Sequence, residues 1–232
     1  MTRLSTIESH TTTLFFYFLS LRKQHLMNDN RITIIEPDKY YHIFNRGING
    51  DVIFKSDHNK NFFLQKITQL LVPVCDLYSY CLLSNHFHLL IKVKSEKELN
   101  LFAKTQLNNI TKAEKGLHSL QNIFSKQFSR VFNSYSQAFN KENNRHGALI
   151  EFPFRRKEII SEEYLRNTII YIHQNPQLHS ITDNFRQFKY SSYQTILSNK
   201  PTSIARNEVI ELFDNAENFI ICHQKIEDEM TF

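Results

Sequence analysis

Apolar and polar positions change period several times along the chain, and each change marks an element. Residues 40–45 (YYHIFN) form a β-prone run, and the RGINGD after it supplies Gly47 and Gly50 for a turn. From 57 to 72, Phe62, Phe63, Ile67, Leu70 and Leu71 recur at spacings of three and four, predicting a helix that Pro73 closes. Two strand-like runs follow, 75–83 (CDLYSYCLL) and 86–93 (HFHLLIKV), and the polar pair Ser84-Asn85 between them predicts a hairpin. A helix is expected near 96–113. A longer one is expected from about 118 to 140, with Leu120, Ile123, Phe124, Phe128, Val131, Phe132, Tyr135 and Phe139 on one stripe.

The loop KENNRHG then leads into a strand-like run, ALIEFPFRRKEII, at 148–160. Ser161 is a good N-cap, and Glu162 and Glu163 follow where the helix dipole favours acid. Pro176 disfavours the α region for its predecessor, which predicts that this helix stops near Asn175. The tail from 183 holds an aromatic loop (FRQFKYSSY) and a short helix near 205–213. Strand, helix, strand, strand, helices, strand, helix implies an α+β sandwich with a mostly antiparallel sheet, close to ferredoxin-like or RRM-like folds.

The first 37 residues read as an N-terminal extension to a domain at 38–182, with 183–232 as a C-terminal tail. Their apolar run, LFFYFLSL at 14–21, is shorter than the roughly 20 residues that span a bilayer. It also lacks a basic start and a small-residue cleavage site, so neither a secretory signal nor a membrane partner is expected. Met27 follows at once, and residues 1–26 read as an upstream extension or a poorly ordered arm.

Composition narrows the chemistry. The chain has 232 residues, 41% of them hydrophobic, enough for one aromatic-rich core built from 20 Phe and 10 Tyr. With 4 Gly and no phosphate-loop pattern, no nucleotide cofactor is expected. Cys75, Cys81 and Cys222 are odd in number and lack paired ligand spacing, which fits a reducing, cytoplasmic setting. A formal charge of +5 is compatible with a polyanionic partner without establishing one.

Few residues stand out as chemistry. His86 and His88, at i and i+2 of a strand, place two imidazoles on one face, half of a divalent-metal site, although H-x-H is also an ordinary polar edge pair. Tyr171 and Asn175, at i and i+4, share a helix face, where Asn175 also serves as a plain cap and Tyr171 as core. Tyr135 lies on an apolar stripe and reads as core. His173 faces away from Tyr171, while His42, His146 and His179 lack partners in sequence. Arg155, Arg156 and Lys157 beside Phe152 and Phe154 suit a single strand, charge on phosphate and ring on base, or else a solvated strand end; Arg46 is a similar candidate.

The strings SYCLLSNHFHLLIKV and, some eighty residues on, YIHQNP resemble the single-tyrosine HUH transposases, in particular the REP-associated tyrosine transposase branch. YYHIFNRG, RHGALIEFPFRRKEI and FKYSSY extend the likeness over about 39–223, and Ser84 departs from it where the family has Pro before the Asn. The resemblance implies that His86, His88 and Asn175 bind a divalent metal, Mg²⁺ or Mn²⁺, and that Tyr171 is the nucleophile. It implies an endonuclease and ligase for single-stranded, hairpin-bearing DNA acting through a 5′-phosphotyrosine. Alternatives are a domesticated relative and a nuclease-inactive nucleic-acid-binding regulator of the same fold. The sequence leaves monomer and homodimer open.

Overall fold

The structure is a computed structural model that describes residues 33–106 and 117–224. The expected arm at 1–26 and the second half of the helix expected at 96–113 lie outside the described residues. The compact unit that holds the sheet begins at Ile34.

The strands are β1 (Tyr40–Arg46), β2 (Cys75–Leu82), β3 (His86–Val93) and β4 (Arg155–Ile159). The helices are α1 (Asp57–Leu70), α2 (Glu96–Gln106), α3 (Leu117–Glu142), α4 (Glu162–Leu178), α5 (Tyr193–Leu197), α6 (Arg206–Glu211) and α7 (Ala216–Cys222). The sheet is antiparallel throughout, in the order β2-β3-β1-β4. With α1 joining β1 to β2, and α2 and α3 joining β3 to β4, this is a ferredoxin-like arrangement. α4 and the tail are added to it.

Strand alternation divides the side chains between two layers. Tyr41, Ile43, Phe87 and Leu89 are fully buried, and Phe87 packs on Phe63 of α1 and Phe132 of α3, with centroids 4.9 and 5.8 Å apart. Burying rings of this size stabilises the fold by about 1.5–3 kcal/mol each, so this aromatic layer fixes the register of β3. The other face, carrying His42, Phe44, His86 and His88, lies under α4. The edge of β2 is covered by the tail, through Leu82 N–H to Tyr190 O, Ser192 N–H to Tyr80 O and Ala205 N–H to Leu77 O.

Three sequence expectations need correction. The strand expected at 148–160 is shorter. Ile150 bridges Gly47 and Glu151 N–H bonds Arg46 O, but Pro153 has no N–H to offer, and regular pairing resumes only at Arg155. α4 does not stop at Asn175 but runs through Pro176 to Leu178. Pro176 sits in the last turn, where its missing N–H forfeits one bond; His179 N–H still reaches Asn175 O at 3.0 Å. The tail holds α5 and α7 as well as the helix expected near 205–213, which is α6. Asn215 caps α7 by accepting from Asn218 N–H, a signal present in the sequence.

Candidate nucleic-acid-processing site

Register decides which side chains meet. Across β4, β1, β3 and β2, Arg155 lies opposite Phe44, Phe44 opposite His88, and His88 opposite Cys81. One step along, Arg46 lies opposite His86. Gly47 follows immediately, and a Cβ there would meet Asp51 O at 2.1 Å, so only glycine lets the turn fold back while its N–H bonds Asn85 O.

α4 crosses this face. Ser161 caps it by accepting from Tyr164 N–H, with Glu162 and Glu163 in the first turn, as expected. Tyr171 stands edge-on to His88, with centroids 5.6 Å apart, and Asn175 Oδ1 lies 3.2 Å from His86 Nε2. The four residues proposed from sequence therefore converge, although β3 and α4 lie some eighty residues apart. His86, His88 and Tyr171 open on a cleft of about 550 Å³ whose lining also includes His179, Arg46 and Arg155, whereas Asn175 is fully buried.

Protonation in this site follows from burial. Burial, with His179 nearby and against a bond from Asn175, brings His86 down to about 4. His88 is held well below the usual histidine range by burial and by three neighbouring imidazoles. Both rings are neutral at pH 7. Burial raises the Tyr171 hydroxyl above its ordinary value, and the Asn175 side chain one turn on partly offsets this.

A neutral His86 has one ring proton for two oxygens, Asn85 Oδ1 at 2.7 Å from Nδ1 and Asn175 Oδ1 at 3.2 Å from Nε2. If Nδ1 donates to Asn85, lone pair faces lone pair between His86 Nε2 and Asn175 Oδ1. Turning the Asn175 amide over relieves this by hydrogen bonding alone. A cation between the two atoms relieves it equally. His88 Nδ1 is 2.9 Å from His42 Nε2; when Nδ1–H donates there, the lone pair on Nε2 is the second imidazole ligand on the same face. Two imidazoles and an amide oxygen suit a first-row divalent metal or Mg²⁺ with open positions. Among the described residues, no cluster of three or more His, Cys, Asp or Glu forms a metal cage.

The candidate DNA contacts divide. Arg46 and Arg155 reach the cleft and share one carboxylate, Arg46 Nε to Glu151 Oε1 at 2.7 Å and an Arg155 Nη to Glu151 Oε2 at 3.3 Å. Phe152 is 78% exposed, as a base-stacking ring must be. Phe154 is not available for that role, because it is buried against Phe128 at 4.5 Å. Alternation along β4 also separates the basic run. Arg156 lies over the Phe154 ring on the core side, whereas Lys157 lies over Tyr164 of α4. Tyr135 is core as read from sequence: it is 1% exposed and its hydroxyl donates to Ile53 O. His173 faces away, bonded to His223 and Ser192.

Two histidines set aside in the sequence belong to the site. His42 bonds His88, and His179, just past the end of α4, packs edge-on to His86 with centroids 4.9 Å apart. The signal for His179 was spacing: 171, 175 and 179 repeat at four. His42 offered none, because its contact depends on cross-strand register.

Neither a protein-family model nor a curated protein matches the chain. Among solved structures, the chain is similar to a REP-associated tyrosine transposase bound to a REP hairpin, at 12% identity and a TM-score of 0.48, over 75% of this chain and 89% of that one. It is also similar to a bacterial tRNA(His) guanylyltransferase (Thg1)-like protein. The complex with GTP aligns at 15% identity and a TM-score of 0.39, over 70% of this chain and 73% of that one. The complex with ATP aligns at 10% identity and a TM-score of 0.40, over 86% and 80% respectively. Likeness at this level does not choose a chemistry, which has to come from the side chains. No helix among the described residues is long and apolar enough to cross a membrane.

Proposed function

We propose that this chain cleaves and rejoins single-stranded, hairpin-bearing DNA, with Tyr171 as nucleophile and a divalent metal held by His86, His88 and Asn175. The observation that carries the reading is the convergence of a half-buried tyrosine and two imidazoles on one cleft lined also by two arginines, with the buried Asn175 amide oxygen 3.2 Å from one of the imidazoles.

The Tyr171 oxygen attacks the scissile phosphorus, forming a 5′-phosphotyrosine as the bond to the 3′ oxygen breaks. The phenolic proton passes to water, since no side chain among the described residues stands as a dedicated base, and the departing 3′ oxygen gains a proton. Rejoining is the reverse, with the 3′-OH attacking and the tyrosine leaving. One phosphodiester replaces another, so bond energy is kept and no nucleotide is consumed. Bound Mg²⁺ or Mn²⁺ would act as a Lewis acid that neutralises the phosphate. Arg46 and Arg155 hold flanking phosphates, and the exposed Phe152 ring offers a stacking surface.

The test is a denaturing gel of the protein incubated with hairpin-bearing oligonucleotides and Mg²⁺ or Mn²⁺. A covalent protein–DNA band is expected. Hairpin binding without any adduct would instead favour a nuclease-inactive regulator.

A further inference from the structure

His88 is held by another histidine. His42 on β1 is 1% exposed, and its Nε2 lies 2.9 Å from His88 Nδ1. The two rings stack at 22° with centroids 5.1 Å apart, and Phe44 lies 4.9 Å from His42 and 5.9 Å from His88. We propose that His42 is a positioning residue that fixes the His88 ring in the tautomer and orientation that present Nε2 to the metal. This rests on the metal reading given above.

The argument is proton accounting. A neutral imidazole has one N–H, and a nitrogen that binds a metal must offer a lone pair. If His88 Nδ1–H donates to His42 Nε2, the lone pair of His88 is fixed on Nε2. Without an acceptor at that point, the proton is free to move to Nε2 and abolish the donor. A hydrogen-bonded outer partner of this kind sets both the tautomer and the angle of a ligand histidine. The location of His42 fits the role, since the contact runs diagonally between neighbouring strands. His88 pairs with Phe44, two residues along β1 from His42, so the two rings meet wherever this register holds. A buried pair that merely filled space would need the rings but not the proton arrangement.

The two readings separate in variants. His42→Phe keeps an aromatic ring and removes the acceptor, whereas His42→Gln keeps an acceptor at similar reach. Mn²⁺ binding, followed by the electron paramagnetic resonance of free Mn²⁺, should weaken by about 10–100-fold in His42→Phe while the protein stays folded. His42→Gln should recover most of it. A folded His42→Phe with wild-type Mn²⁺ affinity overturns the proposal, as does a His42→Gln no better than His42→Phe. If the wild-type protein binds no Mn²⁺, the metal reading itself falls and takes this proposal with it.

A measurement on the wild-type chain decides the matter even if the variants do not fold. In ¹⁵N-histidine-labelled protein free of metal, His88 should already appear with its proton on Nδ1. A proton on Nε2 overturns the proposal.

Discussion

The Tyr171 ring stands edge-on to the His88 ring, with planes at 88° and centroids 5.6 Å apart. One ring is carried by a helix and the other by a central strand. That relation places the Tyr171 hydroxyl and the imidazole pair over the same cleft, the pre-alignment on which an unactivated phenol depends.

Tyr171→Phe removes one oxygen and keeps this ring contact. The variant should fold, bind hairpin DNA and form no covalent adduct. Peptide mapping of wild-type adduct should find the nucleotide on Tyr171; an adduct persisting in the variant would overturn the assignment.

Tyr135→Phe should do the opposite. Its hydroxyl donates to Ile53 O inside the aromatic layer, away from the cleft. Losing that bond leaves a buried carbonyl short of a partner and should cost about 1–3 kcal/mol in a urea melt. Adduct yield from the folded fraction should equal wild type.

The metal reading predicts that chelation stops cleavage and leaves hairpin binding, which depends mainly on phosphate contacts. His86→Ala combined with His88→Ala should match the chelated wild type. Full cleavage by that double variant in chelator would mean that these histidines hold no metal.

The α+β layout with its antiparallel sheet and the α4 cap were legible because the succession of strand and helix periods and Ser161-Glu162-Glu163 are local signals. Where the sequence reading failed, a local rule met a tertiary context. Pro176 forbids a helix interior but is tolerated in a last turn, and ending the helix at Asn175 hid the third member of the 171, 175, 179 spacing. Phe154 and Arg156 were read as members of a DNA-binding run, yet alternation turns both towards the core face. His42 was beyond reach, since nothing in a single strand says which residue of the next one it will touch.

Alternation along β4 also makes the basic run testable residue by residue. Arg155 reaches the cleft, so Arg155→Ala should flatten the salt dependence of single-strand binding by about 0.7 in log–log slope. Arg156 lies over Phe154 on the other face, and Arg156→Ala should leave the slope unchanged. A wild-type slope in Arg155→Ala would mean that Arg155 meets no phosphate, and a flattened one in Arg156→Ala would mean that Arg156 does.

The last prediction concerns acid. The tail is tied to the sheet by a chain of buried hydrogen bonds. His223 Nδ1 lies 2.6 Å from Phe219 O, His173 Nδ1 lies 2.8 Å from His223 Nε2, and Ser192 Oγ lies 2.7 Å from His173 Nε2. A carbonyl only accepts, so the His223 proton sits on Nδ1 and Nε2 accepts from His173 Nδ1–H. With both rings neutral, His173 Nε2 in turn accepts from the Ser192 hydroxyl. Burial depresses His223 to about 4, with the Phe219 carbonyl working partly against it, and burial, with His223 alongside, holds His173 well below its ordinary value. An unfolded histidine titrates at about 6.5, so below that pH the unfolded chain gains protons that the native state refuses. The stability from these groups is therefore complete above about 6.5 and falls as pH drops towards the folded values. Each group contributes a slope of about 1.4 kcal/mol per pH unit inside its window. His223→Gln should lower stability at pH 7, because it breaks the chain. Between pH 6 and 5, however, its stability should fall less steeply than wild type, by roughly 1 kcal/mol per pH unit. Urea melts at pH 7, 6 and 5 give both slopes, and equal slopes would mean that His223 is already charged in the folded protein.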